Sequence, residues 1–155
     1  MPILMTFEEI TGESMITGQP TIELTRLSWS VTRSASAIRG SSRGDPDVHV
    51  DEIVVSKVLD STSAKLLKEA LVGRLNRKVT IEFVRTGRDK PIVYAAYDLT
   101  DCGITSYKLE SQGDIPVETL NLNFLRITAR VFKIGDNLRG TQDTASYDQA
   151  TGRAG

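Results

Sequence analysis

TIELTRLSWSVTR, residues 21–33, alternates apolar and polar side chains, but not in a single phase. Ile22 and Leu24 hold one parity; Leu27, Trp29 and Val31 hold the other. Period-two alternation marks a strand with one buried face. A slip of one residue sends every later side chain to the opposite face of the pleat, as a β-bulge does. On this reading Leu27, Trp29 and Val31 point into a core, while Arg26, Ser28, Ser30 and Thr32 point away from it.

The same signature extends in both directions. Val48, Val50, Ile53 and Val55 make a second strand with a similar slip. Val79, Ile81 and Phe83 form a third strand, the turn-forming Gly87-Arg88-Asp89-Lys90 follows, and Val93, Ala95, Tyr97 and Leu99 return as its antiparallel partner. Ile104 to Leu109 reads as a short strand. A long one follows, with Leu120, Leu122 and Phe124, then Leu125, Ile127, Ala129 and Val131, and it changes phase midway. Long strands that change phase belong to curved sheets and barrels.

One segment departs from period two. Asp60-Ser61-Thr62-Ser63 supplies side-chain oxygens that cap a helix start, and Ala64, Leu67 and Leu71 follow at helical spacing, with Leu66 and Ala70 widening the stripe. Gly73 offers a left-handed stop. The prediction is a mainly β chain: a barrel of two packed antiparallel sheets with one flanking helix at about 61–72. The barrel domain is expected over 1–134. Residues 135–155, rich in Gly, Thr, Ser, Asp and Gln, read as a flexible C-terminal tail.

Composition removes most functional classes. Nineteen basic and twenty acidic residues leave a formal net charge of -1, with no footprint for nucleic acid. No stretch approaches the length of a membrane span, so no membrane insertion is expected. The start of the chain has neither the basic segment nor the apolar run of a secretory signal, which implies synthesis and folding in the cytoplasm. One cysteine, Cys102, and one histidine, His49, are too few for a cysteine or histidine metal site, and no cofactor motif is present. His49 lies on the polar side of its strand without a recognisable catalytic partner, and Cys102 reads as a small buried hydrophobe. No catalytic residue is assigned, and the chain is read as a non-enzyme.

The segment SAIRGSSRGDPD, residues 36–47, holds two arginines and the tripeptide Arg43-Gly44-Asp45. A phosphate-binding loop needs a helix after the glycine turn, and here a strand follows. An integrin-binding role for the tripeptide would need an extracellular protein. What remains is a polar connection of about ten residues, long for a compact β domain and suited to contact with a complementary surface. Arg39, Arg43, Asp45 and Asp47 are its candidate assembly contacts.

Four ordered segments carry a resemblance to a known family. Gly12-Glu13-Ser14, Ile22-Glu23-Leu24 with Leu27-Ser28-Trp29-Ser30, Ser56-Lys57-Val58-Leu59-Asp60-Ser61-Thr62, and Glu118-Thr119-Leu120-Asn121-Leu122-Asn123-Phe124 resemble the haemolysin-coregulated protein (Hcp) family, the tube subunits of the type VI secretion system. The likeness spans roughly residues 5–134. Departures include Leu27 in place of a first tryptophan and Ser63-Ala64 without the usual proline. The resemblance implies hexameric rings that stack into an expelled tube, and secretion through the type VI apparatus. Implied partners are other copies of the chain, a contractile sheath, spike and baseplate proteins, and small effector cargo. It places the 36–47 loop against a neighbouring subunit or ring. In such a subunit the face of Arg26, Ser28, Ser30 and Thr32 would line the lumen or the outer wall, and we assign it to the lumen. A tail-tube subunit of a contractile phage-like particle and a β-barrel module binding a ligand or peptide remain as alternatives.

Overall fold

The computed structural model describes residues 1–34, 48–132 and 142–155. Its strands in chain order are β1 (Ile3–Phe7), β2 (Ile22–Leu24), β3 (Arg26–Ser28), β4 (Val31–Arg33), β5 (Val48–Val50), β6 (Ile53–Val58), β7 (Arg77–Arg85), β8 (Ile92–Glu110), β9 (Val117–Asn123), β10 (Arg126–Phe132), β11 (Gln142–Asp148) and β12 (Arg153–Ala154). A single helix among the described residues, α1 (Ser63–Val72), lies between β6 and β7. The larger sheet runs β12-β11-β10-β8-β7-β1-β2, and the smaller runs β3-β6-β9-β8. All pairings are antiparallel, and β4 with β5 makes a separate two-stranded ribbon. The expected two-sheet β architecture with one flanking helix is what forms.

The phase slip in 21–33 is where the chain changes sheets. Leu24 pairs with Ile3 in the larger sheet, whereas Leu27 pairs with Val55 in the smaller. A chain that crosses from one sheet to the facing one reverses its inward side, so its alternation must slip. The expectation of a bulge within one strand is corrected to a crossing at Thr25, whose N–H donates to the Ser56 carbonyl at 2.8 Å. The slip between Val50 and Ile53 separates β5 from β6, and the one near Leu125 separates β9 from β10. Val31, read as inward, is exposed on the β4–β5 ribbon, and Leu125 and Val131 are exposed as well.

The segments Val93–Leu99 and Ile104–Leu109, read as two strands, are one 19-residue strand. Its first half pairs with β7 and β10, and its second half with β9. Asp101, at φ 51°, bends it between the two sheets. Gly103 lies so close to Leu75 that an added Cβ would sit 2.2 Å from the leucine side chain. The core gathers Met5, Phe7, Ile22, Val55, Leu99 and Leu120 from both sheets.

The helix forms where predicted, but its N-cap Thr62 makes no side-chain cap hydrogen bond, and its inward face is rotated. Ser63, Leu66 and Ala70 face the barrel, while Ala64, Leu67 and Leu71 are exposed. A buried serine breaks the apolar stripe, so spacing of apolar residues alone selects the wrong face. Gly73 is extended (φ -67°, ψ 152°) rather than left-handed. An added Cβ there would lie 2.4 Å from the Glu69 carbonyl oxygen, so close approach, not φ, is what suits glycine.

Within the segment read as a flexible tail, Gln142–Asp148 is a full strand paired with β10 from Phe132 to Arg126, and β12 closes a hairpin on it. Its pairing is main-chain hydrogen bonding along an edge that would otherwise be open, which requires no apolar alternation. Gln149 fastens the hairpin: its side-chain amide donates to the Phe124 carbonyl at 2.7 Å.

Candidate functional site

The outward face of the smaller sheet is built from small polar side chains in register. One row across β3, β6, β9 and β8 is Arg26, Ser56, Thr119 and Lys108; the next is Ser28, Val54, Asn121 and Ser106. Ser56 and Thr119 share a hydroxyl hydrogen bond of 3.2 Å. The first row has a charge at each margin and two hydroxyls between them; the second has serines at its margins, with Val54 and Asn121 between.

Of the residues assigned to this face from sequence, Arg26 and Ser28 stand on it together. Ser30 and Thr32 are also exposed but belong elsewhere: Thr32 faces His49 across the β4–β5 ribbon, and the Ser30 hydroxyl donates to the Asp51 carboxylate. Asp51 gathers this corner, since its carbonyl accepts from the Trp29 indole N–H at 2.9 Å and its carboxylate lies 3.2 Å from His49 Nε2. Arg39, Arg43, Asp45 and Asp47, with the Arg43-Gly44-Asp45 tripeptide, lie outside the described residues.

The His49 side chain is 77% exposed and lies beside the Asp51 carboxylate. Cys102 is fully buried, and burial pushes its thiol up to about 12, so the thiolate is not formed near neutral pH. Among the described residues no group of three potential metal ligands converges.

Sequence reading missed a buried ionic cluster behind the polar face. Lys57 and Glu118 are register partners on β6 and β9, both inward and fully buried, joined at 2.7 Å. Lys57 Nζ also donates to the Val58 carbonyl at 2.8 Å and to Asp60 Oδ1 at 3.0 Å. The hydroxyls of Ser63 and Tyr107 donate to the two Glu118 oxygens. Asp60 in turn accepts from the Thr62 N–H at 2.8 Å, and its own N–H donates to Ser63 Oγ at 2.9 Å. Burial alone would raise the Asp60 carboxyl, but hydrogen bonds from Thr62 and Lys57 outweigh it and hold it below its ordinary value. Burial, then the bond to Glu118, pushes the Tyr107 hydroxyl up to about 12. The cluster seats the first turn of α1 on the sheet. Its signal was present: Lys57 continues the inward parity of Ile53 and Val55, and Glu118 that of Leu120 and Leu122.

Comparisons with known proteins place this arrangement. The family described as "Type VI secretion system effector, Hcp" matches residues 4–131. A structure described as that of a type six secretion system protein is 20% identical, with 99% of each chain covered and a TM-score of 0.84. Hcp1 from Salmonella typhimurium is 19% identical over 99% of this chain and 97% of its own, with a TM-score of 0.78. A type VI secretion system effector from Yersinia pestis is 20% identical over 94% of this chain and 98% of its own, with a TM-score of 0.72. Comparison with curated protein sequences finds no match. The chain therefore belongs to the Hcp family, the tube proteins of the type VI secretion system.

Proposed function

We propose that this chain is a non-enzymatic subunit that closes into hexameric rings, and that the rings stack into a tube expelled through the type VI apparatus. The observation that carries this reading is the family match across residues 4–131, nearly the whole barrel. The polar outward face of the smaller sheet then lines the lumen, with Arg26 and Ser28 on it. Small hydroxyls and amides there favour weak, replaceable hydrogen bonds, which suits effector cargo that has to be released. Sheath, spike and baseplate proteins are the partners outside the tube. Arg39, Arg43, Asp45 and Asp47 are the loop contacts to a neighbouring subunit or ring. Among the described residues no helix is long and apolar enough to cross a membrane.

Light scattering and electron microscopy of concentrated protein test this reading. A mass near six times 17.0 kDa and annular particles are expected. A species that stays monomeric under every tube-promoting condition overturns it. Charge reversal at Arg39 or Arg43 is expected to leave the fold intact and weaken stacking; normal tubes from such variants would remove the loop from the assembly.

A further inference from the structure

Two unusual surfaces lie at opposite ends of the smaller sheet. At one end, the turn from Ser111 to Pro116 between β8 and β9 carries Ile115, which is 67% exposed. Exposed Val58, Leu59 and Val117 flank it, since Val58 pairs with Val117 and the Leu59 N–H donates to the Pro116 carbonyl. The turn is held in shape: Gly113 adopts φ 92°, and the Ser111 hydroxyl donates to the Asp114 carbonyl at 3.1 Å. At the other end, a groove of about 700 Å³ opens between the β4–β5 ribbon and the C-terminal hairpin. Val31, Val50, Trp29, Ile127 and Tyr147 line it, with Arg33 at its side. β6 runs from the groove end to the turn end, a span of roughly 20 Å at the rise of a strand.

The two surfaces carry opposite charges. Among the described residues neither Arg33 nor Asp114 has an ion-pair partner. An apolar knob thus carries the Asp114 carboxylate, and an apolar groove carries the Arg33 guanidinium. An exposed apolar patch of this kind marks an interaction site, and two unlike complementary patches on one chain generate head-to-tail assembly.

We infer that the Asp114-Ile115 turn of one copy docks in the Arg33 groove of the next, with Ile115 against the Trp29 and Tyr147 end of the groove and Asp114 paired to Arg33. The occupant is thus a second copy of this chain. The contact rests on the tube-subunit reading and names surfaces for it outside the 36–47 loop. The turn reaches its partner already ordered, so docking loses little chain entropy.

A charge-swap series tests it at positions that are all exposed, and circular dichroism of each variant checks that the fold is kept. Arg33→Asp, Asp114→Arg and the double swap are compared with the unaltered chain by light scattering across a concentration series. Each single change is expected to raise the concentration needed for assembly roughly tenfold or more, and the swap to restore most of it. Ile115→Asp is expected to weaken assembly at least as much. Single variants that assemble like the unaltered chain, or a swap no better than the singles, overturn the contact while leaving the tube-subunit reading standing. An unaltered chain that never assembles overturns both.

Discussion

Replacing Lys57 with Met, Glu118 with Gln, or Lys57 and Glu118 together with Met and Leu separates what the buried pair contributes from what breaking it costs. At 2.7 Å the attraction amounts to about 6 kcal/mol at an effective dielectric constant of about 20. Removing both ions from water costs several kcal/mol each, so the pair as a whole nets close to zero. Breaking it is different. With Lys57→Met, Glu118 stays buried with only the Ser63 and Tyr107 hydroxyls to hold its charge; with Glu118→Gln, Lys57 keeps only Asp60, Ser63 and the Val58 carbonyl. Either single change is expected to cost about 3–5 kcal/mol, and the double change much less than the sum. For a chain of this length that corresponds to a fall in Tm of about 6–20 °C for each single variant. Urea unfolding at a fixed low protein concentration, followed by circular dichroism, reads the cycle without interference from assembly. Single variants within about 1 kcal/mol of the original, or additive singles, would show that the ions are not coupled and that the helix is seated by Leu66 alone.

Three further outcomes follow from the same geometry. Asp60 is held below its ordinary value of 3.8, so its contribution is present above that value and disappears as the pH falls through the lower folded value; Asp60→Asn should flatten that acid limb in urea midpoints measured against pH. Tyr107 and Cys102 are shifted the other way, to about 12 from 10.0 and 9.0, so their contributions hold below those ordinary values and fade toward pH 12; Tyr107→Phe should flatten the alkaline limb, and Cys102 should resist a thiol alkylator until urea opens the core. At Gly12 an added Cβ would sit 2.1 Å from the carbonyl carbon and oxygen of Thr21, which is backbone and cannot swing aside; Gly12→Ala is expected to destabilise by about 1–3 kcal/mol in the same assay.

The barrel was legible because its strands alternate, and even their irregularities were informative. Each phase slip marked a real event, but alternation cannot distinguish a bulge from a change of sheet: both move the inward parity by one residue. Only the partner strand decides, and partners are far apart in sequence, as Leu27 and Val55 are. β11 escaped notice because its pairing is carried by backbone groups, and its side chains from Gln142 to Ala145 are exposed. The helix was found from its capping residues and spacing, but its face was misplaced because Ser63 occupies a buried position. A polar residue takes such a position only when the fold supplies its partners, and here those partners, Glu118 and Lys57, are 55 and 6 residues away. The resemblance supplied the family where chemistry was silent, since a surface of serine, threonine and asparagine has no motif.

The buried pair also connects the fold to the surfaces that assemble. β6 and β9 are apolar inward along most of their pairing, with Val55 opposite Leu120, and outward they set Ser56 opposite Thr119 and Val54 opposite Asn121. At their far ends the pattern reverses: Lys57 and Glu118 turn inward, and Val58 and Val117 turn out. A one-residue slip of β6 would bring Val54 and Val58 inside, but it would turn the buried Ile53 and Val55 out to solvent. The same slip would expose Lys57 and leave Glu118 buried without its cation, an outcome costing far more than two half-exposed valines. Lys57 and Glu118 therefore reinforce the register that Ile53 and Val55 already favour, the one that keeps Val58, Val117 and the neighbouring Ile115 at the surface. On this argument the ionic pair adds little to net stability and more to specificity, because the slipped pairing would leave a buried carboxylate without its cation.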